Sequence, residues 1–171
     1  MTCPTIAPQP AGTDLHLAAE LRHELAAWAE LGHPHETCGL LVGRAGEGRV
    51  EVVRVAQAKN LNRERASDRY ELDPADFLAA DRAARVDGLE IVGFWHSHPD
   101  CPARPSTRDL EAAWEGYSYL IVGVTAAGET DFHSWRLYGD RFREEKVLPE
   151  QARPTAAALR FENPLKEERV P

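Results

Sequence analysis

The chain has 171 residues and a formal net charge of −8. This length suits one domain with a substantial core, and the dispersed acidic charge disfavours binding to nucleic-acid phosphates. No apolar run approaches the roughly 20 residues that cross a bilayer, and the N-terminus lacks the basic start and apolar stretch of a secretion signal. We therefore expect a cytoplasmic protein without nucleic-acid or membrane partners.

The N-terminal residues divide into a tail and a helix. Residues 1–13 are rich in Pro, Thr and Gly without a period, which predicts a flexible tail. Apolar residues at helical spacing over 21–28 predict a first helix, and Gly32 ends it. At the other end, residues 149–171 mix Pro, Ala and alternating charges and are expected to form a C-terminal extension. The predicted domain therefore occupies residues 14–148.

Short runs of apolar and β-branched residues predict the strands. These runs are residues 37–44, 50–58, 69–72, 89–98, 119–125 and 131–138. Glycine turns at 46–48 and 127–128 predict two hairpins. A second helix is expected after the capping residue Asp73, with Pro74 in its first turn and Gly88 at its end. This irregular alternation predicts an α/β or α+β fold, with a mixed sheet flanked by helices in three layers.

The segment FWHSHPDCPARPSTRDLEAAW carries the clearest chemical pattern. Side chains alternate along a strand, so His96 and His98 point to the same side. Neutral imidazole is a common zinc ligand, and a catalytic zinc site takes three protein ligands and a water. Asp109 is the candidate third ligand, because Ser106 can cap a helix that places Asp109 in its first turn, facing the strand end.

Each of these features also has an ordinary structural explanation. Ser106 and Asp109 resemble a capping box, with Asp where Glu is usual, and exposed histidines are common at strand ends. A bound metal explains the paired histidines, the stiff loop and the capped Asp together, and this favours the metal site.

Glu36 is the candidate general base that a hydrolytic zinc site requires. It begins the first predicted strand, and a carboxylate entering an apolar sheet is costly unless it is paired or functional. The alternative is a solvated carboxylate in the loop between helix and strand, because charged residues are mostly exposed.

These residues resemble the JAMM, or MPN-plus, metalloproteases of the JAB superfamily, in their minimal prokaryotic type. The family signature is a distant Glu, then His, Ser or Thr, His, seven residues, Ser, two residues and Asp. Glu36, the HSH segment at 96–98, Ser106 and Asp109 match every element. The resemblance covers about residues 15–148 and implies a curved mixed sheet flanked by helices, in the three-layer architecture of cytidine deaminases.

The resemblance implies that His96, His98 and Asp109 bind one catalytic zinc ion with its water. It implies that Glu36 is the general acid and base and that Ser106 stabilises the oxyanion during hydrolysis of an amide or isopeptide bond. The chain has little room for the insertions that grip ubiquitin chains in eukaryotic members. The implied substrate is therefore a small ubiquitin-like or sulfur-carrier protein with a Gly-Gly terminus, whose tail we expect to pair with a sheet edge.

Alternative roles remain at this point. Some MPN domains have lost the ligands, so the alternative function is a scaffold or a module that binds ubiquitin-like proteins with little catalysis. A zinc deaminase would need a Glu directly after the first ligand histidine and a paired-cysteine motif, and both are absent. Cys38 and Trp95 are expected to pack in the core, whereas Cys101 is a loop cysteine or a resting-state zinc ligand. The sequence leaves the oligomeric state and the leaving group open.

Overall fold

The computed structural model describes residues 12–150, which form seven strands and three helices. The strands are β1 (Asp14–Ala18), β2 (Cys38–Gly46), β3 (Arg49–Ala58), β4 (Glu90–Pro99), β5 (Ser118–Val124), β6 (Thr130–Tyr138) and β7 (Arg141–Glu150). The helices are α1 (Ala19–Gly32), α2 (Pro74–Val86) and α3 (Thr107–Ala112). Apart from residues 12–13 and 149–150, the predicted tail and extension lie outside the described residues. The domain bounds therefore stay predictions.

The described strands form one mixed sheet in the order β1-β3-β2-β4-β5-β6-β7, and β1 also pairs with β7, so the sheet closes into a barrel. β1 is parallel to β3 and β7, and β4 is parallel to β5, whereas the other neighbours are antiparallel. This arrangement confirms the predicted mixed sheet flanked by helices. The expected pairing of a substrate tail with a sheet edge stays a prediction, because residues 53–58 of β3 pair with β2 on one side only.

Helices α1 and α2 pack on opposite faces of the sheet. α1 buries Leu25 in the main core, where Trp28 stacks on Trp95 of β4 with ring centroids 5.6 Å apart. α2 buries Ala84 against a second cluster that includes Leu40 of β2. Trp95 is fully buried, as predicted. Within residues 12–150, no helix has the length and apolar character needed to span a membrane.

One sequence prediction of secondary structure is wrong, and two strands were not predicted. The predicted strand at 69–72 is wrong, because that segment makes a single bridge, Leu72 with Asn60, and is otherwise a loop. Strands β1 and β7 were not predicted. β1 has only five residues, two of them the buried Leu15 and Leu17, and β7 is rich in charge, so neither shows a strong local pattern.

β2 and β4 bring the candidate site residues together. They are antiparallel neighbours in which Cys38 lies opposite His96, so Glu36, two residues before Cys38, lies beside the end of β4. Gly39 permits this close packing. A Cβ at Gly39 would lie 1.9 Å from a carbonyl oxygen of β3 and 2.4 Å from the indole nitrogen of Trp95.

Candidate metal centre

His96, His98 and Asp109 converge at the end of β4. The Nε2 atoms of the two histidines are 3.0 Å apart. Oδ1 of Asp109 lies 3.2 Å from Nε2 of His96, and Oδ2 lies 3.8 Å from Nε2 of His98. Across residues 12–150 this is the only group of three or more His, Cys, Asp or Glu side chains whose ligand atoms all lie within 4.8 Å of one another.

The loop after β4 fixes the tautomer of His98. Its Nδ1 lies 3.0 Å from the carbonyl oxygen of Pro102. A carbonyl only accepts, so Nδ1 carries the hydrogen, and the neutral ring presents the lone pair of Nε2 to the cluster. Burial and the nearby charge of His96 lower the pKa of His98, despite the opposing effects of Pro102 and Asp109. The neutral, metal-binding form of His98 is therefore favoured.

His96 lies deeper in the protein and is 1% exposed. Its Nδ1 is the one fully buried side-chain nitrogen or oxygen in the described chain that has no hydrogen-bond partner. Its ring stacks on Tyr70, with centroids 4.6 Å apart and planes 27° apart. The other ring nitrogen of His96, Nε2, is the atom that faces His98 and Asp109. Two imidazoles and a carboxylate form a donor set that catalytic zinc accepts, so these residues fit a zinc ion.

Asp109 is held in place by the capping box that begins α3. Oδ2 of Asp109 accepts hydrogen bonds from both the N–H and the O–H of Ser106, each at 2.6 Å, and Oγ of Ser106 accepts from the N–H of Asp109 at 3.2 Å. Burial alone would raise the pKa of Asp109. The hydrogen bond and charge of His96, together with the bonds from Ser106, outweigh burial and hold this pKa well below its usual range. The cap therefore presents an ionised carboxylate to the two histidines.

The loop between β4 and α3 is anchored on β5. The N–H of Asp100 donates to the carbonyl oxygen of Val124 at 2.7 Å, and the carboxylate of Asp100 lies 2.9 Å from Nε2 of His33. Gly123 of β5 leaves room for the loop, because a Cβ there would lie 3.0 Å from the carbonyl oxygen of Cys101. These contacts fix the path of the chain from His98 to α3.

Glu36 lies in the loop between α1 and β2, two residues before the strand that it was predicted to begin, and it is 8% exposed. Its N–H donates to the carbonyl oxygen of Ala66 at 2.6 Å, and its carbonyl oxygen accepts from Nδ2 of Asn60 at 3.1 Å. No residue in the described chain makes a hydrogen bond to its carboxylate. Burial raises the pKa of Glu36 to about 7, with His96 opposing and the carboxylates of Asp109 and Asp68 adding to the effect. The solvated-loop alternative is wrong, because the carboxylate is buried.

Ser97, between the two histidines, connects β4 to the start of β2. Its Oγ accepts from the N–H of Thr37 at 2.9 Å and lies 3.0 Å from the hydroxyl of Thr37. Ser97 thereby positions the residue next to Glu36. This role was not predicted from the sequence, although Ser97 shares a strand face with Trp95 and a serine on a core face needs a hydrogen-bond partner. In the structure Ser97 is fully buried.

Glu36, His98, Ser106 and Asp109 line one cavity of about 630 Å³. The loop at 67–72 forms one wall. Aromatic side chains form much of the rest: Phe77, Phe94, Trp114, Tyr117 and Tyr119. The cavity therefore has a polar centre and an apolar wall, and it is large enough for a peptide segment.

The two described cysteines differ in their surroundings. Cys38 is fully buried, and burial raises the pKa of its thiol to about 12, which fits the predicted packing role. Cys101 is exposed and lines the cavity, but it is not one of the three converging groups.

The chain matches the family model described as prokaryotic homologs of the JAB domain over residues 4–138. The chain belongs to the prokaryotic JAB-domain family. This result confirms the family that the HSH, Ser and Asp spacing indicated.

Other members of the JAB-domain family are similar over most of their length. A desampylase from Haloferax volcanii is 36% identical over 141 residues, which cover 80% of this chain and 96% of that protein. A CysO-cysteine peptidase from Mycobacterium tuberculosis is 31% identical over 135 residues, covering 78% and 89%. The solution structure of a protein from Desulfitobacterium hafniense aligns with a TM-score of 0.71 and 31% identity, covering 80% of this chain and 93% of that one.

Proposed function

We propose that this JAB-domain protein is a zinc-dependent peptidase or isopeptidase that hydrolyses the amide bond at the Gly-Gly terminus of a small ubiquitin-like or sulfur-carrier protein. One observation carries the proposal: the buried carboxylate of Glu36 lines the same cavity as the converging His98 and Asp109. The similar proteins named desampylase and CysO-cysteine peptidase support this class of substrate.

The zinc ion would be held by His96, His98 and Asp109. The tautomer of His98 and the ionised carboxylate of Asp109 both supply lone pairs at the point of convergence. When bound, zinc supplies Lewis acidity, which polarises the substrate carbonyl and lowers the pKa of the attacking water.

Glu36 would transfer a proton from the attacking water to the departing amine. The oxygen of water forms a bond to the carbonyl carbon while Glu36 accepts the proton of that water. The C–N bond then breaks as the same carboxyl returns the proton to the departing amine. Burial raises the pKa of Glu36, which makes the carboxylate a better proton acceptor than a solvated one. Ser106, on the same cavity, would stabilise the oxyanion.

The cavity favours an extended and unbranched tail. Its polar end lies between the loop at 67–72 and α3, so a scissile carbonyl would reach it on a protruding segment of chain. Glycine lacks the Cβ that would crowd the backbone against these walls. We also propose a cytoplasmic location without membrane partners. The net charge of −8 disfavours nucleic-acid partners.

The test uses two matched adducts of one carrier protein. Each joins an amino acid to the carrier, one through Gly-Gly and the other through Ala-Ala, and mass spectrometry follows release of the carrier by the zinc-loaded protein. The Gly-Gly adduct is expected to be cleaved much faster. Equal rates would contradict the tail preference, and cleavage of neither adduct would contradict the enzyme and favour a scaffold.

A further inference from the structure

Hydrolysis of an amide develops negative charge on the oxygen of the scissile carbonyl, and hydrogen-bond donors stabilise that oxygen. Ser106 carries a single hydroxyl hydrogen, which it donates to Oδ2 of Asp109 at 2.6 Å. Its Oγ meanwhile accepts from the N–H of Asp109. Ser106 must leave part of this cap to donate to a substrate, so a second hydroxyl in the cavity would complement it.

Tyr70 provides such a hydroxyl. Its ring stacks on His96, and the residue lines the cavity together with Glu36 and Asp109. Within residues 12–150, no residue makes a hydrogen bond to its phenol oxygen. The ring lies against a proposed zinc ligand and the residue lines the cavity, so Tyr70 is placed to present its hydroxyl to a substrate carbonyl bound there.

The backbone on both sides of Tyr70 is held by the side chain of Asn60. Nδ2 of Asn60 donates to the carbonyl oxygen of Arg69 at 3.0 Å, and its Oδ1 accepts from the N–H of Glu71 at 3.0 Å. The same Nδ2 donates to the carbonyl oxygen of Glu36. One amide group thus sets the position of Tyr70 relative to Glu36. Such preorganisation is what makes a hydrogen-bond donor effective in catalysis.

We infer that Tyr70 is a further catalytic residue, whose hydroxyl donates a hydrogen bond to the oxygen of the scissile carbonyl as negative charge develops there. The inference rests on the proposed function. Tyr70 forms no covalent bond and keeps its proton, while the proton of the attacking water still passes through Glu36 to the departing amine. The ring and the hydroxyl have separable roles, because the ring alone makes the contact with His96.

The decisive variant is Tyr70→Phe, which removes the hydroxyl and keeps the ring. Tyr138→Phe is the matched control, since Tyr138 lies at the end of β6, under the guanidinium of Arg143 and away from the cavity. Four quantities are measured for each variant: kcat, KM, zinc content and the affinity for a phosphonamidate analogue of the Gly-Gly tail. The phosphonamidate imitates the tetrahedral, negatively charged state rather than the substrate.

Tyr70→Phe is expected to lower kcat on the order of 100-fold, the typical effect of removing one oxyanion donor. KM and zinc content should stay at wild-type values, and the affinity for the phosphonamidate should fall by a factor similar to that of kcat. Tyr138→Phe should match wild type in all four quantities. A merely structural role of the hydroxyl would not move kcat and phosphonamidate affinity together.

Three results would overturn the inference. The first is a kcat of Tyr70→Phe within about twofold of wild type, far from the expected loss. The second is a fall in kcat accompanied by loss of zinc, and the third is an unchanged affinity for the phosphonamidate. Failure of the wild-type protein to cleave any Gly-Gly adduct would be a separate result, because it contradicts the proposed function itself.

Discussion

Two buried polar clusters in this protein differ in whether their members complete one another's hydrogen bonds and balance one another's charges. The first joins β5, β6 and β7 around Glu145, which is 4% exposed. The carboxylate of Glu145 accepts from Nε of Arg136 at 2.7 Å, from Ser134 at 2.7 Å and from Ser118 at 3.2 Å. Arg136 also donates to Ser118 at 3.0 Å, so charge and hydrogen bonds are balanced within the cluster.

The second cluster is the candidate metal centre, and its groups are left incomplete. Nδ1 of His96 has no hydrogen-bond partner. Glu36 is 8% exposed, and no described residue donates a hydrogen bond to its carboxylate. The Nε2 atoms of His96 and His98 lie 3.0 Å apart, and both share the single carboxylate of Asp109. Similar burial therefore accompanies two different arrangements.

This difference indicates which cluster stabilises the fold and which one is suited to bind a ligand. A buried charge with all its hydrogen bonds made supports the sheet, whereas buried groups that converge without satisfying one another lower stability unless a ligand completes them. On this basis we propose a structural role for Glu145 and a functional role for Glu36 and the two histidines.

Removing a proposed metal ligand should show the largest difference between the two clusters, because only the candidate metal centre should affect zinc binding. His96→Ala is expected to weaken zinc binding by more than about 100-fold, which exceeds the usual loss from removing a residue that only supports a ligand. Asp109→Asn should also weaken zinc retention, because the amide is a neutral and poorer ligand. Metal analysis after dialysis measures both.

The control for the ligand variants is His133→Ala. His133 lies on β6 between Asp131 and Glu144, so it is a histidine with two carboxylate neighbours at the surface rather than in the cavity. The His133→Ala variant should keep one zinc per chain. Undiminished zinc in both ligand variants would show that the ligand assignment is wrong.

Glu145→Gln should destabilise the protein without affecting the metal. The change leaves the charge of Arg136, whose side chain is 12% exposed, without its partner. The free energy of unfolding should fall by about 3–5 kcal/mol, as is usual when one member of a buried ion pair is removed. Denaturant unfolding measures this energy, and zinc content should stay at one per chain.

Glu144→Gln is the matched control, one residue away, with a side chain 52% exposed. Its effect should stay within about 0.5 kcal/mol, as for most surface substitutions. Equal losses in the two variants would remove the contrast between a satisfied buried cluster and an ordinary surface pair.

The metal-free protein should show the cost of burying Glu36 as a pH dependence. Burial raises the pKa of Glu36 from 4.5 to about 7 in the folded protein. Between these values the folded state binds more protons than the unfolded state, so the free energy of unfolding falls as pH rises. At about 1.4 kcal/mol per pKa unit, the loss reaches about 3 kcal/mol above pH 7.

Glu36→Gln removes this titration and supplies the comparison. In chelator-treated samples, the stability advantage of the variant over wild type should be smallest at pH 4 and grow until pH 8. Unfolding by denaturant at several pH values measures it. A difference that does not change with pH would mean that the Glu36 carboxyl is not desolvated.

Ser97→Ala should destabilise the protein less than Glu145→Gln. The variant loses the hydrogen bond that Ser97 accepts from the N–H of Thr37, which is expected to cost about 1–2 kcal/mol. Thermal unfolding compares it with Ser67→Ala, a change of an exposed serine in the loop at 67–72. A Ser97→Ala protein as stable as the control would show that this link between β4 and β2 is weak.

The sequence predicted those parts of the site that depend on neighbours along the chain. His96 and His98 share a face because strand side chains alternate, and Ser106 reaches Asp109 because a capping box spans one helical turn. Glu36 was harder to judge, since its burial depends on the pairing of β2 with β4. The family resemblance supplied that link before the structure did.

Features that depend on distant pairing were missed. The parallel pairing of β1 with β7 closes the sheet between segments more than 100 residues apart, and no local pattern encodes it. The loop around Tyr70 was taken for a strand because its residues alternate, whereas Asn60 holds its backbone through side-chain bonds. Tyr70 therefore remained unnoticed beside His96.

The most direct test of the central claim compares wild type with Glu36→Gln on a carrier–Gly-Gly–amino-acid adduct. Both proteins are first shown to hold one zinc per chain, and mass spectrometry then follows release of the carrier. Wild type should cleave the adduct, and Glu36→Gln should be slower by about 100-fold or more, because the amide keeps the shape of the side chain but accepts no proton. Near-normal cleavage by Glu36→Gln would contradict the account.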